Sequence, residues 1–254
     1  MSYKKFIRYG NNLEVYEYER EPISREQRAN RKPKDNAYNK KLGADRKDTL
    51  SERQLGQRQN NSKRAMVAFR RLVASNLQRP ELPSLLTLTY AENLTDLSIG
   101  YKDYRSFVQA LRYKYGKDFR YICVPEFQKR GAVHFHALFW GLPSEVFLQE
   151  RKSRTIAMMW GHGYIFMKET DGHEKLSTYL AKYMSKAFID PKLKNQKSYV
   201  ASRNVKRPQV GRGIAPMWAV IDDFTGDQEV EVVEKTYDTK WLGKCRHRLF
   251  KITK

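Results

Sequence analysis

An α+β fold built on an antiparallel sheet is what the 254-residue sequence predicts. Segments that alternate every second residue and segments with helical spacing follow one another over short links. Two of the alternating segments, residues 120–126 and 133–140, are joined by the loop 127–132 and form an evident antiparallel hairpin. A hydrophobic content of 40% supplies a core, while 30% charged residues face outward.

Taken in order, residues 3–18 read as a first hairpin turning at Gly10-Asn11-Asn12, cationic on one arm and anionic on the other. From 20 to 60 large apolar residues nearly vanish and basic and amide side chains dominate, which predicts a mobile basic arm. Ser62 caps an expected helix reaching Leu77, with Met66, Phe69, Val73 and Leu77 as its apolar stripe and Pro80 as its stop. Residues 84–90 predict a buried strand, and Asp103 the cap of a helix that turns Tyr104, Phe107, Val108 and Leu111 inward and closes at Gly116. After the 120–140 hairpin come a helix from Ser144 to about Trp160, a strand at 164–168 and a helix at 174–188. Two strands near 229–235 and 246–252 follow Lys/Arg-rich loops.

The formal charge is +21 and uneven: residues 1–80 carry 20 Lys and Arg against 9 Asp and Glu, the other 174 residues 29 against 19. Such an excess points to a polyanionic partner, nucleic acid before a membrane surface. Cys123 and Cys245 are the only cysteines, too few for a disulfide framework or a cysteine zinc site. No run of about 18 apolar residues and no signal-peptide core occur, so a cytosolic protein without a membrane partner is expected.

Chemistry concentrates in Val133-His134-Phe135-His136-Ala137-Leu138-Phe139-Trp140. Residues i and i+2 of a strand share a face, so His134 and His136 project side by side. With five His in the chain, a chance His-x-His is on the order of one in ten, so the pair alone is a weak signal. The hairpin adds to it. A turn centred near Arg130 sets Glu126 opposite His134 and Val124 opposite His136, bringing a carboxylate onto the imidazole face. Two N donors and one O donor without thiolate suit Mg²⁺ or Mn²⁺, with Zn²⁺ also open. The plainer alternative pairs Glu126 with Lys129 or Arg130.

In the 174–188 helix, Leu176, Leu180, Met184, Ala187 and Phe188 form the buried stripe at about 100° per residue. Tyr179 and Tyr183 lie along its edge, with Lys182 and Lys186 beyond them. A phenol of pKa about 10 needs cationic help or a base to act as a nucleophile. The alternative is that both tyrosines border the core with wet hydroxyls. Together the metal-capable strands, the Tyr/Lys helix and the basic background suggest metal-assisted transesterification of a phosphodiester. Arg70, Arg71, Lys129, Arg130, Lys186, Arg203, Lys206 and Arg207 are the candidate DNA-contacting cations, although a solvated basic face serves equally for the first two.

The order Leu85-Leu86-Thr87-Leu88-Thr89-Tyr90, His134-Phe135-His136 and Tyr179-Leu180-Ala181-Lys182-Tyr183 resembles the HUH endonucleases. Within them it looks like the rolling-circle replication initiators of small single-stranded DNA phages and related plasmids. The eight-residue step from Glu126 to His134 and the stretch Ser202-Arg203-Asn204-Val205-Lys206-Arg207-Pro208 are similar to that family too. The resemblance covers roughly residues 60–210. It implies a five-stranded antiparallel sheet with flanking helices and a site-specific nick in single-stranded origin DNA, leaving a 5′-phosphotyrosyl enzyme and a 3′-OH primer. It further implies His134, His136 and Glu126 as ligands of Mg²⁺ or Mn²⁺. Tyr179 would be the first nucleophile, Tyr183 the second, and Lys182 would neutralise the attacking oxygen. No Gly-x-x-x-x-Gly-Lys-[Ser/Thr] occurs, so unwinding falls to a host helicase within the host replication machinery, in the cytoplasm of a bacterial cell.

The expected organisation is a hairpin at 1–19, a basic arm at 20–60, the endonuclease domain at 61–215 and a strand-containing extension at 216–254. A transposase of the same chemistry and a non-catalytic basic nucleic-acid-binding protein are the competing readings.

Overall fold

The computed structural model describes residues 3–23, 52–77, 82–143, 146, 154–170, 196–213 and 216–253. In chain order its elements are β1 (Tyr3–Tyr9), β2 (Asn12–Tyr18), α1 (Glu52–Ala74), β3 (Ser84–Tyr90), α2 (Leu97–Tyr115), β4 (Arg120–Phe127) and β5 (Val133–Trp140). They continue with α3 (Thr155–Trp160), β6 (Gly163–Glu169), β7 (Val200–Ala201), β8 (Gln209–Gly213), α4 (Met217–Thr225), β9 (Val230–Thr239) and β10 (Gly243–Ile252). The α+β class holds, with two antiparallel five-stranded sheets. The chain divides into two units, residues 61–207 and residues 1–60 with 208–254. Among the described residues no helix is long and apolar enough to cross a membrane.

The 61–207 unit carries the sheet β6-β3-β5-β4-β7. β3 and β5 keep the bounds their alternation predicts. α2 lays Leu97, Gly100, Tyr104, Phe107, Val108 and Leu111 into the core, the three-and-four spacing of a single helix face. A Cβ at Gly100 would stand 3.1 Å from Val133 Cγ1 and 3.3 Å from Phe135 Cζ. The missing side chain therefore lets α2 press against the face of β5 that carries Val133 and Phe135, both fully buried. His134 and His136 consequently point to the opposite face of the sheet.

Two boundaries differ from expectation. α2 begins two turns before Asp103: Asp96 is the cap, its Oδ1 accepting the Ser98 N–H at 2.7 Å. Asp103 lies inside the helix and accepts the Tyr90 hydroxyl at 2.8 Å. Gly100 makes that first turn read as loop, because glycine is unfavourable in a helix interior; its place against β5 explains its presence. α1 starts at Glu52 rather than at Ser62, because Glu52-Arg53-Gln54-Leu55 are good helix formers despite their polarity. Residues 52–60 of the expected arm are thus helical, and 24–51 lie outside the described residues, as do most of 144–153.

The other unit carries the sheet β8-β1-β2-β10-β9. The first hairpin forms as expected, with Tyr3 opposite Tyr18 and Tyr9 opposite Asn12. It is no isolated segment, because β2 pairs with β10 from Cys245↔Tyr18 to Lys251↔Asn12. β8, expected within the endonuclease domain, pairs with β1. The hairpin, residues 209–213 and the C-terminal strands are therefore parts of one sheet. Leu13, Val15 and Phe250 are buried with Met217 and Phe224 of α4, so this helix covers one face.

Candidate functional site

The β4–β5 register places Glu126 opposite His134 and Val124 opposite His136, as the turn requires. On the other side of β5, Thr89 pairs with His134 and Thr87 with His136. Paired residues share a face, so Glu126, both imidazoles and both threonines line one surface. The turn is closed by Gln128 N–H donating to Ala132 O at 2.9 Å and Gly131 N–H donating to Gln128 O at 2.8 Å.

The side chains form one connected network. His136 Nε2 lies 2.9 Å from Glu126 Oε2, and the imidazole is only 5% exposed. His134 Nδ1 is 3.1 Å from Thr89 Oγ1 and 3.3 Å from Gln128 Nε2. His136 Nδ1 is 3.5 Å from Thr87 Oγ1, and the two imidazole centroids are 4.7 Å apart. A hydroxyl both donates and accepts, so each ring can present a lone pair at Nε2 while its Nδ1 stays opposite a threonine. Burial, then the neighbouring His136, push the His134 pKa down to about 4, with Arg130 adding to the effect and Glu126 opposing it. His134 is therefore neutral at pH 7, the form that binds metal.

An open cleft of about 690 Å³ lies over these groups, lined by Glu126, Phe127, Gln128, Lys129, Arg130, His134 and His136. Among the described residues no group of three or more His, Cys, Asp or Glu side chains is arranged to hold a metal ion as it stands. The donor chemistry fits one: two imidazoles, one of them held neutral, and a carboxylate share a face with a cleft above it.

Tyr179, Lys182, Tyr183 and Lys186 lie outside the described residues. Of the candidate DNA-contacting cations, Lys129 is exposed on the turn at the cleft. The Arg130 guanidinium is engaged within the protein: Nη1 donates to Ala91 O at 3.1 Å, Nη2 to Tyr90 O, and Nε to Gln128 Oε1 at 3.2 Å. Arg70 is exposed and Arg71 half-buried near the end of α1.

Arg203, Lys206 and Arg207 are exposed on a segment pinned to the far end of the sheet. Ser202 N–H donates to Tyr121 O at 2.9 Å. Asn76 binds both sides of Lys206, with Nδ2 donating to its carbonyl at 2.9 Å and Oδ1 accepting its N–H at 3.0 Å. Tyr121 and Glu126 are five residues apart on β4, about 17 Å. This basic segment is thus not brought to the His pair.

Three features escape sequence reasoning. Thr87 and Thr89 sit in a motif whose role the sequence does not assign, and they face the imidazole Nδ1 atoms. Gln128 reads as loop, and it touches His134. On β6, Tyr164 pairs with Thr89 and Phe166 with Thr87, so both aromatics share the His face. Their strand reads Tyr-Ile-Phe-Met-Lys, and nearly continuous apolarity gives no hint of which residues face outward.

Residues 83–188 match a family model described as replication-associated protein ORF2. The match runs from β3 past β6, so it contains Thr87, Thr89, Glu126, His134 and His136 and extends over Tyr179 and Tyr183. By this similarity the 61–207 unit is like a replication-associated protein. No curated protein and no solved structure matches the chain.

Proposed function

We propose that the chain is a replication initiator that nicks single-stranded origin DNA by tyrosine transesterification and later rejoins the displaced strand. The observation that supports this best is the placing of His134, His136 and Glu126 on one sheet face, inside the stretch similar to replication-associated proteins. These three residues would hold Mg²⁺ or Mn²⁺. The bound ion would polarise the scissile phosphate and stabilise its developing charge.

Tyr179 loses its phenolic proton and attacks phosphorus. The Oη–P bond forms as the P–O3′ bond breaks, and the 3′ oxygen takes up a proton to become the primer hydroxyl. Lys182 favours the phenolate electrostatically and Tyr183 carries the second transfer. Exposed Lys129 contacts phosphate at the cleft. Strand separation would come from a host helicase in the bacterial cytoplasm.

The test incubates the full chain and Mn²⁺ with labelled single-stranded oligonucleotides tiling the replicon that encodes it, followed by a denaturing gel. A covalent protein–DNA band, lost in Tyr179→Phe with binding retained, is expected. Normal binding with no covalent band on any oligonucleotide would reject the enzyme in favour of a non-catalytic binder. Cleavage only at hairpin-flanked element ends would indicate a transposase.

A further inference from the structure

We infer that Tyr164 and Phe166 form a base-stacking platform that takes single-stranded DNA beside the His pair. β6 is the outer strand next to β3, and the register runs Tyr164–Thr89–His134–Glu126 in one row and Phe166–Thr87–His136–Val124 in the next. Two strand spacings separate the aromatic rows from the imidazoles, about 10 Å. The residues between them are threonines, short enough to leave the surface shallow. Tyr164 is 66% exposed and Phe166 57%, while Ile165 between them packs against the core on the opposite face.

Scattered single apolar residues on a surface need no explanation, but two aromatics side by side on one strand and one face form a patch. An outer strand is also where such a patch invites unwanted pairing. The chemistry around the rings selects the occupant. Lys168 follows on the same face and is exposed, as is Lys129 across the cleft. Within β3, β4, β5 and β6, Glu126 is the one acid on this face, and it is bonded to His136. Rings flanked by cations on a chain of charge +21 suit the π-faces and phosphates of an unpaired strand; an acidic peptide would leave the rings without a partner. A duplex keeps its bases stacked inside and offers them no face.

The placement beside the scissile phosphate rests on the proposed nicking reaction; the stacking itself does not. The experiment therefore measures binding of the full chain to labelled oligothymidylate in EDTA, by fluorescence anisotropy, where no cleavage is needed. Tyr164→Ala and Phe166→Ala should each bind about tenfold more weakly, with Phe166→Leu behaving like Phe166→Ala because bulk without a ring does not stack. The slope of affinity against salt should stay that of the native chain, whereas Lys168→Ala should reduce it by about one unit. On an abasic strand of equal length the native chain and the aromatic variants should bind alike.

Undiminished oligothymidylate binding by folded Tyr164→Ala and Phe166→Ala would overturn the inference. An equal loss on the abasic strand or on blunt duplex would do the same. Absence of a covalent adduct in the gel assay would remove the nicking reaction and leave these binding outcomes to stand on their own.

Discussion

The His136 Nε2 atom lies 2.9 Å from Glu126 Oε2, although Glu126 is paired in register with His134. The contact is diagonal across the hairpin, within reach of long side chains on neighbouring strands. It links the carboxylate to the more deeply buried imidazole and leaves His134 to Thr89 and Gln128. Both halves of the donor set are thus held by hydrogen bonds.

Glu126→Gln separates charge from shape. The amide oxygen can still accept a hydrogen bond from His136, so the thermal midpoint should move by no more than a few degrees, as for a loss of about 1 kcal/mol. Mn²⁺ affinity, followed by electron paramagnetic resonance, should drop at least about tenfold because a ligating anion has become neutral. Equal affinity in the two proteins would remove Glu126 from the metal site.

Thr89 faces His134 Nδ1 at 3.1 Å, the position from which an outer partner orients a ligating ring. Thr89→Val keeps the volume and removes the hydroxyl; Thr89→Ser keeps the hydroxyl. Loss of such a partner weakens metal binding by about 10- to 100-fold. The valine variant should fall in that range and the serine variant should recover most of the affinity. Identical Mn²⁺ titrations for both would make the threonine a packing residue only.

His134 also makes stability depend on pH. Its pKa in the fold, pushed down by burial to about 4, is below the roughly 6.5 of an unfolded histidine. Between those values the unfolded chain binds the proton and the folded chain does not, so stability falls as pH drops from about 6.5 to about 4 and is unaffected by this group above that window. Melting midpoints of the native chain and His134→Gln, measured without metal from pH 7.5 to 4, should converge as the pH falls. Parallel curves would show that the imidazole titrates alike in both states.

Legibility follows the range of the physical signal. β3 and β5 are readable to the residue because alternation within seven or eight positions fixes a half-exposed strand, and a short turn then fixes the register that places Glu126 by His134. The β2–β10 pairing joins residues more than two hundred positions apart, and nothing in either strand names the other. β8, Gln209-Val210-Gly211-Arg212-Gly213, is short and glycine-rich, so it lacks the alternation that would mark it. Within the site, the Thr87 and Thr89 motif is visible as a motif, but its role needs the β3–β5 pairing. Tyr164 and Phe166 become candidates only when the register assigns them to the His face.

That face depends on a close approach at the start of β6. Gly163 has φ +149°, and a Cβ there would lie 2.4 Å from Ala91 N and 2.5 Å from Thr89 O. Both are backbone atoms of the β3 end and the turn after it, so no side chain can move aside. Gly163→Ala combines a backbone conformation that L-residues rarely adopt with a collision against the strand that carries Thr89. It should cost about 3 kcal/mol in urea denaturation. Because Tyr164 follows directly and pairs with Thr89, any Gly163→Ala protein that still folds should also bind oligothymidylate more weakly, with Tyr164→Ala adding little further loss. Full stability in Gly163→Ala would mean that β6 does not lie this close to β3, and the row from Tyr164 to His134 would have to be redrawn.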